Sequence, residues 1–140
     1  MDEKYILVER SPTAEEYQKL REAVGWGNVD FEATEVGLHN SLFSVCIIYN
    51  YRNNVIGCGR LVGDGGIYFY IQDVIVLPEF QGKGIGKRIM ASIMDYLKAC
   101  APPNAFVGLM AAKGVSKFYE RYDFMERPAD APGMFKIWKK

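Results

Sequence analysis

Runs of β-branched and aromatic residues dominate the first half of the chain, and turn residues separate them. Residues 5–8, 44–49, 55–62 and 67–77 have the composition of strands. Residues 51–54, Tyr-Arg-Asn-Asn, are typical of a hairpin turn, and the glycine-rich residues 63–66 form a second turn. This order predicts an antiparallel meander.

Elsewhere, apolar residues recur at intervals of three and four, which is the spacing of one helix face. Small polar residues and early acids at positions 11–16 are typical of a helix start, and Gly25 is expected to stop that helix. Helices are predicted over residues 11–24, 31–42, 85–100 and 115–122. Further strand candidates are residues 106–111, Phe124 and residues 134–138.

The element order predicts one α+β domain over residues 1–140, with no repeat or linker dividing it. We expect a mixed sheet of about six or seven strands and about four helices. The strand–helix–strand order in the second half requires a parallel pair, because a helical crossover brings the chain back in the same direction. That pair is expected to be central in the sheet.

Composition and charge exclude several classes of function. Lysine plus arginine equals aspartate plus glutamate, at 17 each, so clustered positive charge for nucleic acid is not indicated. One histidine and three widely spaced cysteines make a metal site an unfavourable interpretation. No apolar run is long enough for a membrane span, and residues 1–4 do not open a signal peptide. We therefore expect a cytoplasmic protein with reduced thiols, without nucleic-acid, membrane or metal partners.

A glycine-rich turn follows the strand at residues 67–77 and opens the third helix. It reads Gln81, Gly82, Lys83, Gly84, Ile85, Gly86, Lys87. Glycines let backbone N–H groups converge on one point, and a helix N-terminus adds partial positive charge, so the turn is suited to a phosphate. The spacing does not fit a P-loop, because Lys87 is followed by arginine rather than serine or threonine. It does not fit a GxGxxG dinucleotide motif either, because neither possible register ends on glycine.

The turn does have the form Q/R-x-x-G-x-G, and the segment Val74, Ile75, Val76 precedes it. This resembles motif A of the GNAT superfamily, the acetyl-CoA-dependent N-acetyltransferases. The later segment Lys-Phe-Tyr-Glu-Arg-Tyr-Asp-Phe at residues 117–124 is similar to the family's second recognisable segment. The resemblance implies that the backbone of Val76 and of residues 82–87 holds the pyrophosphate of coenzyme A. It also implies that the pantetheine arm lies beside Val74 and Val76 like an added strand.

The same resemblance implies two catalytic residues. Tyr119 occupies the position of the family's tyrosine that hydrogen-bonds the sulfur of coenzyme A, although it also lies on the apolar stripe of its helix. Asp73 stands where some members keep an acidic residue, and it is a candidate base for the amine. By strand alternation it points to the opposite face from Val74 and Val76, and a carboxylate that ties down a neighbouring loop is an equal alternative.

The acceptor amine is expected to meet aromatic residues. Trp26 and Phe31 lie where the family's first two helices wall the acceptor site, and Tyr70 lies on the central strand. Trp26 stands between two glycines, which suggests either a movable aromatic wall or an aromatic that covers the core. Two positions depart from the family pattern: Ala112 replaces an asparagine that contacts pantetheine, and Asp123 replaces a glycine. Aspartate tolerates the left-handed conformation that the glycine position often needs.

The expected function is therefore acetyl transfer from acetyl-CoA to a primary amine of a small molecule, such as an aryl-alkylamine or a polyamine. A domain that binds acetyl-CoA as a sensor without transferring the acetyl group is the alternative. A pure interaction domain, which would not bind coenzyme A, is a third hypothesis. The amine and the oligomeric state stay open, a homodimer being one option.

Overall fold

A computed structural model describes residues 4–139 of the chain. Residues 1–3, which entered the signal-peptide argument, lie outside the described part. The strands are β1 Tyr5–Val8, β2 Phe43–Tyr49, β3 Asn54–Gly63, β4 Tyr68–Val76 and β5 Phe106–Leu109. The α-helices are α1 Ala14–Ala23, α2 Phe31–His39, α3 Ile85–Cys100 and α4 Ser116–Glu120.

The strands form one sheet in the order β1-β2-β3-β4-β5. The first four are antiparallel neighbours, and β5 is parallel to β4. The parallel pair was predicted to be central, but β5 is the last strand in the described sheet order. The α+β class, the meander and the parallel crossover through α3 are as predicted.

Helices cover both faces of this sheet. α1 packs against β3 and β4, and α2 packs beside α1, whereas α3 lies against β2, β3 and β4. Buried residues Tyr17 and Leu20 of α1 join Cys58 and Ile75 of the sheet in one core cluster. On the α3 side, Gly59 lets the helix come close, because a Cβ there would lie 2.3 Å from Cγ2 of Ile89.

The first turn of α1 follows directly from its sequence. Thr13 Oγ1 accepts from the backbone N–H of Glu16, and the Glu16 carboxylate accepts from the backbone N–H of Thr13. Glu16 also pairs with Arg10 at 2.9 Å. The hydrogen bond from Arg10 lowers the pKa of Glu16. α2 ends at His39 rather than at the predicted Leu42, because the N–H of Leu42 already bonds to the carbonyl of Leu61 in the sheet.

The prediction of six or seven strands was wrong: the part of the chain from Lys4 to Lys139 has five. Neither Phe124 nor residues 134–138 form a strand. Pro132 and Gly133 precede the second segment, and Phe135 and Trp138 are exposed at 77% and 76%. Apolar residues at strand-like positions do not make a strand unless a partner edge satisfies their backbone groups.

The chain divides into two compact units, one up to Leu109 and one from Met110 onwards. Each is described by itself below. In neither unit does the described chain contain a helix long and apolar enough to cross a membrane.

Candidate active site

The glycine turn begins where β4 ends. A short 3-10 helix, Pro78–Phe80, leads from the strand into the turn, and its Phe80 is buried. Gly82 and Gly84 have φ angles of 78° and 80°, in the left-handed region. A Cβ on either residue would meet nothing within 4 Å, so the backbone angle and not lack of space is the reason for glycine here.

Several backbone donors of this turn make no hydrogen bond within residues 4–139. Within residues 4–139, no hydrogen bond engages the N–H groups of residues 82–87, whereas the next N–H, that of Arg88, bonds to the carbonyl of Gly84. Lys83 and Lys87 are exposed beside these donors. Free N–H groups at the start of a 16-residue helix, with two lysines nearby, are suited to a phosphate or pyrophosphate. The basic side chain of Arg88 has another role, since its Nη1 donates to the carbonyl of Tyr5 at 2.8 Å.

The last half of β4 has one unpaired edge. β5 pairs with β4 only as far as Ile71, whereas β3 follows β4 to Val76. On the β5 side, the described chain therefore offers no strand partner to residues 72–76. A peptide-like arm could lie along this edge as an added strand and end at the glycine turn, which is the shape that coenzyme A requires.

The predicted cofactor residues reach this edge in different ways. Val74 and Val76 are half-buried and alternate with Ile75, whose side chain belongs to the core on the α1 side. Ile85 is also buried, at 2% exposure, so both isoleucines offer only their backbone. Gln81 donates from Nε2 to the carbonyl of Val76 at 2.9 Å, which joins the turn to the strand end.

Asp73 is fully buried, with no exposed surface. Its Oδ2 accepts from Nε of Arg60 at 3.0 Å and from the hydroxyl of Tyr17 at 2.8 Å. Its Oδ1 has no partner in the described part of the chain. The pKa of Tyr17 is raised to about 12, mainly by burial and secondly by the negative charge of Asp73. The carboxylate thus ties α1 to the sheet, whereas the alternative considered from the sequence was a bond to a neighbouring loop.

Arg60 and Tyr17 were not among the predicted site residues. Arg60 also donates from Nη1 to the carbonyl of Gly37 and to Oγ of Ser41, so it holds the end of α2 as well. A signal for the pair was present in the sequence. Arg60 is the only charged residue in the predicted strand 55–62, and Asp73 is the only one in 67–77. Opposite lone charges in adjacent strands are expected to pair when buried.

The predicted acceptor residues differ in exposure. Phe31 opens α2 and is 52% exposed, and Tyr70 is half-buried on β4 opposite Gly108. Burial raises the pKa of Tyr70. Trp26 is half-buried and packs against the core cluster under α1. Its ring therefore covers part of the core on the α1 side.

Tyr119 belongs to the second unit, on the short helix α4. Its ring contacts those of Phe118 and Phe124, at centroid distances of 5.1 and 6.3 Å. Burial raises the pKa of Tyr119, so the phenol stays protonated at neutral pH. Asp123 follows α4 with a φ of 69°, and it therefore adopts the left-handed conformation expected for a replacement of glycine.

Similar proteins were found at the level of sequence. A family model described as an acetyltransferase (GNAT) domain matches residues 42–126. An uncharacterized N-acetyltransferase, ycf52, of Gracilaria tenuistipitata var. liui is 31% identical over 120 residues, which are 84% of this chain and 65% of the relative. The ycf52 protein of Pyropia yezoensis is 27% identical over 94% of this chain and 75% of its own length. The chain thus spans less than two thirds of the first relative and three quarters of the second.

Solved structures share the fold over nearly the whole chain. A probable acetyltransferase from meticillin-resistant Staphylococcus aureus superposes with a TM-score of 0.89 at 36% identity, covering 96% of this chain and 99% of that one. A GNAT family acetyltransferase from Streptococcus pneumoniae gives 0.79 at 29% identity, with coverage of 97% and 99%. The family model covers both the open edge of β4 and the glycine turn, and this chain belongs to the GNAT family of N-acetyltransferases.

Proposed function

We propose that this protein moves the acetyl group of acetyl-CoA to a primary amine of a small molecule, such as an aryl-alkylamine or a polyamine. The observation that carries the proposal is the unpaired edge of β4 leading into unbonded N–H groups at the start of α3. A peptide-like arm with a pyrophosphate at its end matches both features at once. Membership of the GNAT family supports the same co-substrate.

The glycine turn and the edge of β4 would bind different parts of the coenzyme. Residues 82–87 would hold the pyrophosphate through backbone N–H groups, with Lys83 and Lys87 adding charge from the surface. The edge of Val74 and Val76 would align the arm, so that the thioester arrives at a fixed position along β4. The thioester supplies an electrophilic carbonyl carbon, and the protein has to bring a neutral amine to it.

The neutral form of the acceptor amine has to be supplied at a cost in free energy. An alkyl amine with a pKa near ~10.4 is mostly protonated at pH 7, and its neutral form costs about 4–5 kcal/mol. Asp73 is buried behind Tyr17 and Arg60, so a role as base would require a water relay to Oδ1. The acid limb of the pH–rate profile tests this role, because replacing Asp73 by asparagine would then change that limb.

Tyr119 would assist the leaving thiolate. Attack by the neutral amine would form the new C–N bond and break the C–S bond, with the electron pair going to sulfur. The nitrogen would lose one N–H proton, to the base or its water relay, to give the neutral amide. A phenol whose pKa lies above its usual value near ~10 stays protonated, and its O–H can donate a hydrogen bond to a thiolate with a pKa near ~8.5. A hydrogen bond describes this role better than full proton transfer, because the thiolate is the weaker base.

Two measurements test the proposal in sequence. Acetyl-CoA should raise the melting temperature, since a ligand that binds only the folded state stabilises it by mass action. A thiol-release assay with a panel of aryl-alkylamines, polyamines and amino sugars should then show turnover. Stabilisation without turnover on any amine would favour the sensor, and absence of stabilisation would contradict binding of acetyl-CoA.

A further inference from the structure

The loop between α1 and α2 carries Trp26 and has glycine on both sides of it, yet it is held by side chains of α1. We call residues 25–28 the Trp26 loop. Arg21 donates from both Nε and Nη2 to the carbonyl of Gly27, at 3.1 and 2.9 Å. Gln18 adds a bond from Nε2 to Oδ1 of Asn28 at 2.6 Å. The far side of the loop is thus bonded to the helix that precedes it.

The guanidinium of Arg21 also stands between two aromatic rings. Its central carbon lies 5.5 Å from the ring centroid of Trp26 and 5.7 Å from that of Tyr17. A planar cation in this position is attracted by both ring faces, and its fork of N–H donors stays free for the carbonyl of Gly27. Lysine has the same charge, but it has neither a planar cationic group nor two N–H donors that can reach one carbonyl together.

Tyr17 connects this arrangement to the sheet. It is 5% exposed, and its hydroxyl donates to the fully buried Asp73 on β4. Asp73 in turn pairs with Arg60 of β3. A continuous path of contacts therefore runs from the strand with the open edge, through Tyr17 and Arg21, to Trp26. This path connects the loop to the sheet through side-chain contacts, in spite of the glycines in the loop.

We propose that Arg21 is a positioning residue that holds the Trp26 loop as a fixed wall of the acceptor site, anchored to β4 through Tyr17 and Asp73. The inference rests on the proposed function and on the expectation, from the family resemblance, that Trp26 walls the acceptor site. A wall that is already ordered costs less entropy when the amine binds. Loss of the fork is therefore expected to weaken amine binding and to leave acetyl-CoA binding at the glycine turn unchanged.

The experiment compares Arg21→Lys with Arg52→Lys. Arg52 stands 5.6 Å from the ring of Tyr49 in the β2–β3 turn and provides a matched control away from the loop. The chain has two tryptophans, Trp26 and Trp138. Both variants are made in a Trp138→Phe background, so that Trp26 is the one tryptophan left to report. Acrylamide quenching of its fluorescence, KM for the amine and KM for acetyl-CoA are measured, with the melting temperature.

In Arg21→Lys we expect stronger quenching of Trp26 and a KM for the amine raised about tenfold, with KM for acetyl-CoA within about twofold of the parent. Arg52→Lys should change none of these. Unchanged quenching, or an equal rise in both KM values, would overturn the positioning role. Quenching needs no substrate, so a parent protein that acetylates no amine would contradict the proposed function, while quenching would still decide whether Arg21 clamps the loop.

Discussion

Asp73 has no exposed surface, and Arg60 and Tyr17 share one of its oxygens. A carboxylate in that position stabilises the fold only as long as its partners stay in place, because an unpaired buried charge is costly. The other oxygen, Oδ1, is also buried and has no hydrogen-bond partner within residues 4–139. The buried carboxylate therefore anchors α1 to β4, and the pH–rate profile described above tests whether it also acts as the base.

Tyr17 is expected to make the free energy of unfolding fall at alkaline pH. Its pKa rises from 10.0 to about 12 in the folded protein, so its neutral form is favoured there. The contribution to the free energy of unfolding is full below pH 10 and is lost as the pH rises towards 12. Urea titrations across pH 9–12 should show a smaller alkaline loss in Tyr17→Phe than in the parent protein. Tyr51→Phe is the control, because Tyr51 is 70% exposed, and it should behave as the parent does.

Tyr119→Phe tests the residue proposed to assist the leaving thiolate. The phenyl ring keeps the contacts with Phe118 and Phe124, so the fold should persist. The turnover number should fall about 10²- to 10³-fold, as on loss of one well-placed donor, with acetyl-CoA affinity nearly unchanged. Steady-state kinetics and calorimetric binding give the two quantities. Tyr122→Phe, in the turn that follows α4, is the control, and equal turnover in both variants would exclude the role.

At the scale of elements, β4 organises the first unit. It pairs with β3 along its length and with β5 over only four residues, and it then leads into the glycine turn. One strand therefore supplies a packed face, an open edge and the entry to an anion-binding helix terminus. The geometry depends on two kinds of glycine, one needed for its backbone angle and the other for its small size.

Gly84 belongs to the first kind, with a φ of 80° and open space around it. Gly84→Ala should lower the free energy of unfolding by about 1–2 kcal/mol, because alanine in the left-handed region is strained. Acetyl-CoA affinity should fall as well, since relief of the strain would turn N–H groups away from the ligand. Gly37→Ala is the control: it also has open space but no positive φ, and alanine in a helix should stabilise by roughly 0.5–1 kcal/mol. Denaturant unfolding and calorimetry measure both effects, and equal stability changes in the two variants would contradict the argument.

Gly59 belongs to the second kind, because α3 packs where its side chain would be. Gly59→Ala would place a Cβ 2.3 Å from Cγ2 of Ile89 and 3.0 Å from Cδ1 of Ile93. Overpacking of this type should cost about 1–3 kcal/mol in the free energy of unfolding. In an Ile89→Ala background the same change should cost clearly less, because the obstructing methyl group is gone. Additive costs in this double-mutant cycle would show that the clash is relieved elsewhere.

At the scale of the whole molecule, the two units differ in how their backbone groups are bonded. The first has a five-stranded sheet covered by α1 and α2 on one face and by α3 on the other. The second has a single described helix of five residues, and Met125, Met134 and Phe135 are 77–86% exposed. Few buried contacts and few backbone hydrogen bonds imply low local stability.

Hydrogen exchange should separate the units. Amides of β3, β4 and α3 should exchange slowest, because their bonds open only with the core. Amides of residues 125–139 should exchange fastest, within minutes at neutral pH. Exchange followed by mass spectrometry of peptides measures both. Strong protection of residues 134–138 would contradict the expectation, and would support the strand that the apolar pattern predicted there.

The sequence by itself was sufficient for the periodic and motif-bearing parts. The bounds of α3 were predicted to the residue, because glycines open it and Pro102 follows it. β2, β3 and β4 were predicted within one residue at each end. The left-handed conformation of Asp123 was expected because the family has glycine at this position and aspartate tolerates that conformation. The glycine turn and the segment around Tyr119 also indicated the family, which the match over residues 42–126 confirms. These features depend on residues close together in the sequence, so the residue types in one short segment are enough to predict them.

Tertiary structure decided what depends on distant partners. Residues 134–138 have the apolar and aromatic composition of a strand, but no edge pairs with them in the described chain. The acidity of Asp73 could be seen in the sequence, whereas its burial against Arg60 and Tyr17, 13 and 56 residues away, could not. The glycines around Trp26 were visible in the sequence, whereas the bonds from Arg21 to the carbonyl of Gly27 were not. Contacts between residues far apart in sequence depend on which elements pack together, and composition and spacing do not contain that information.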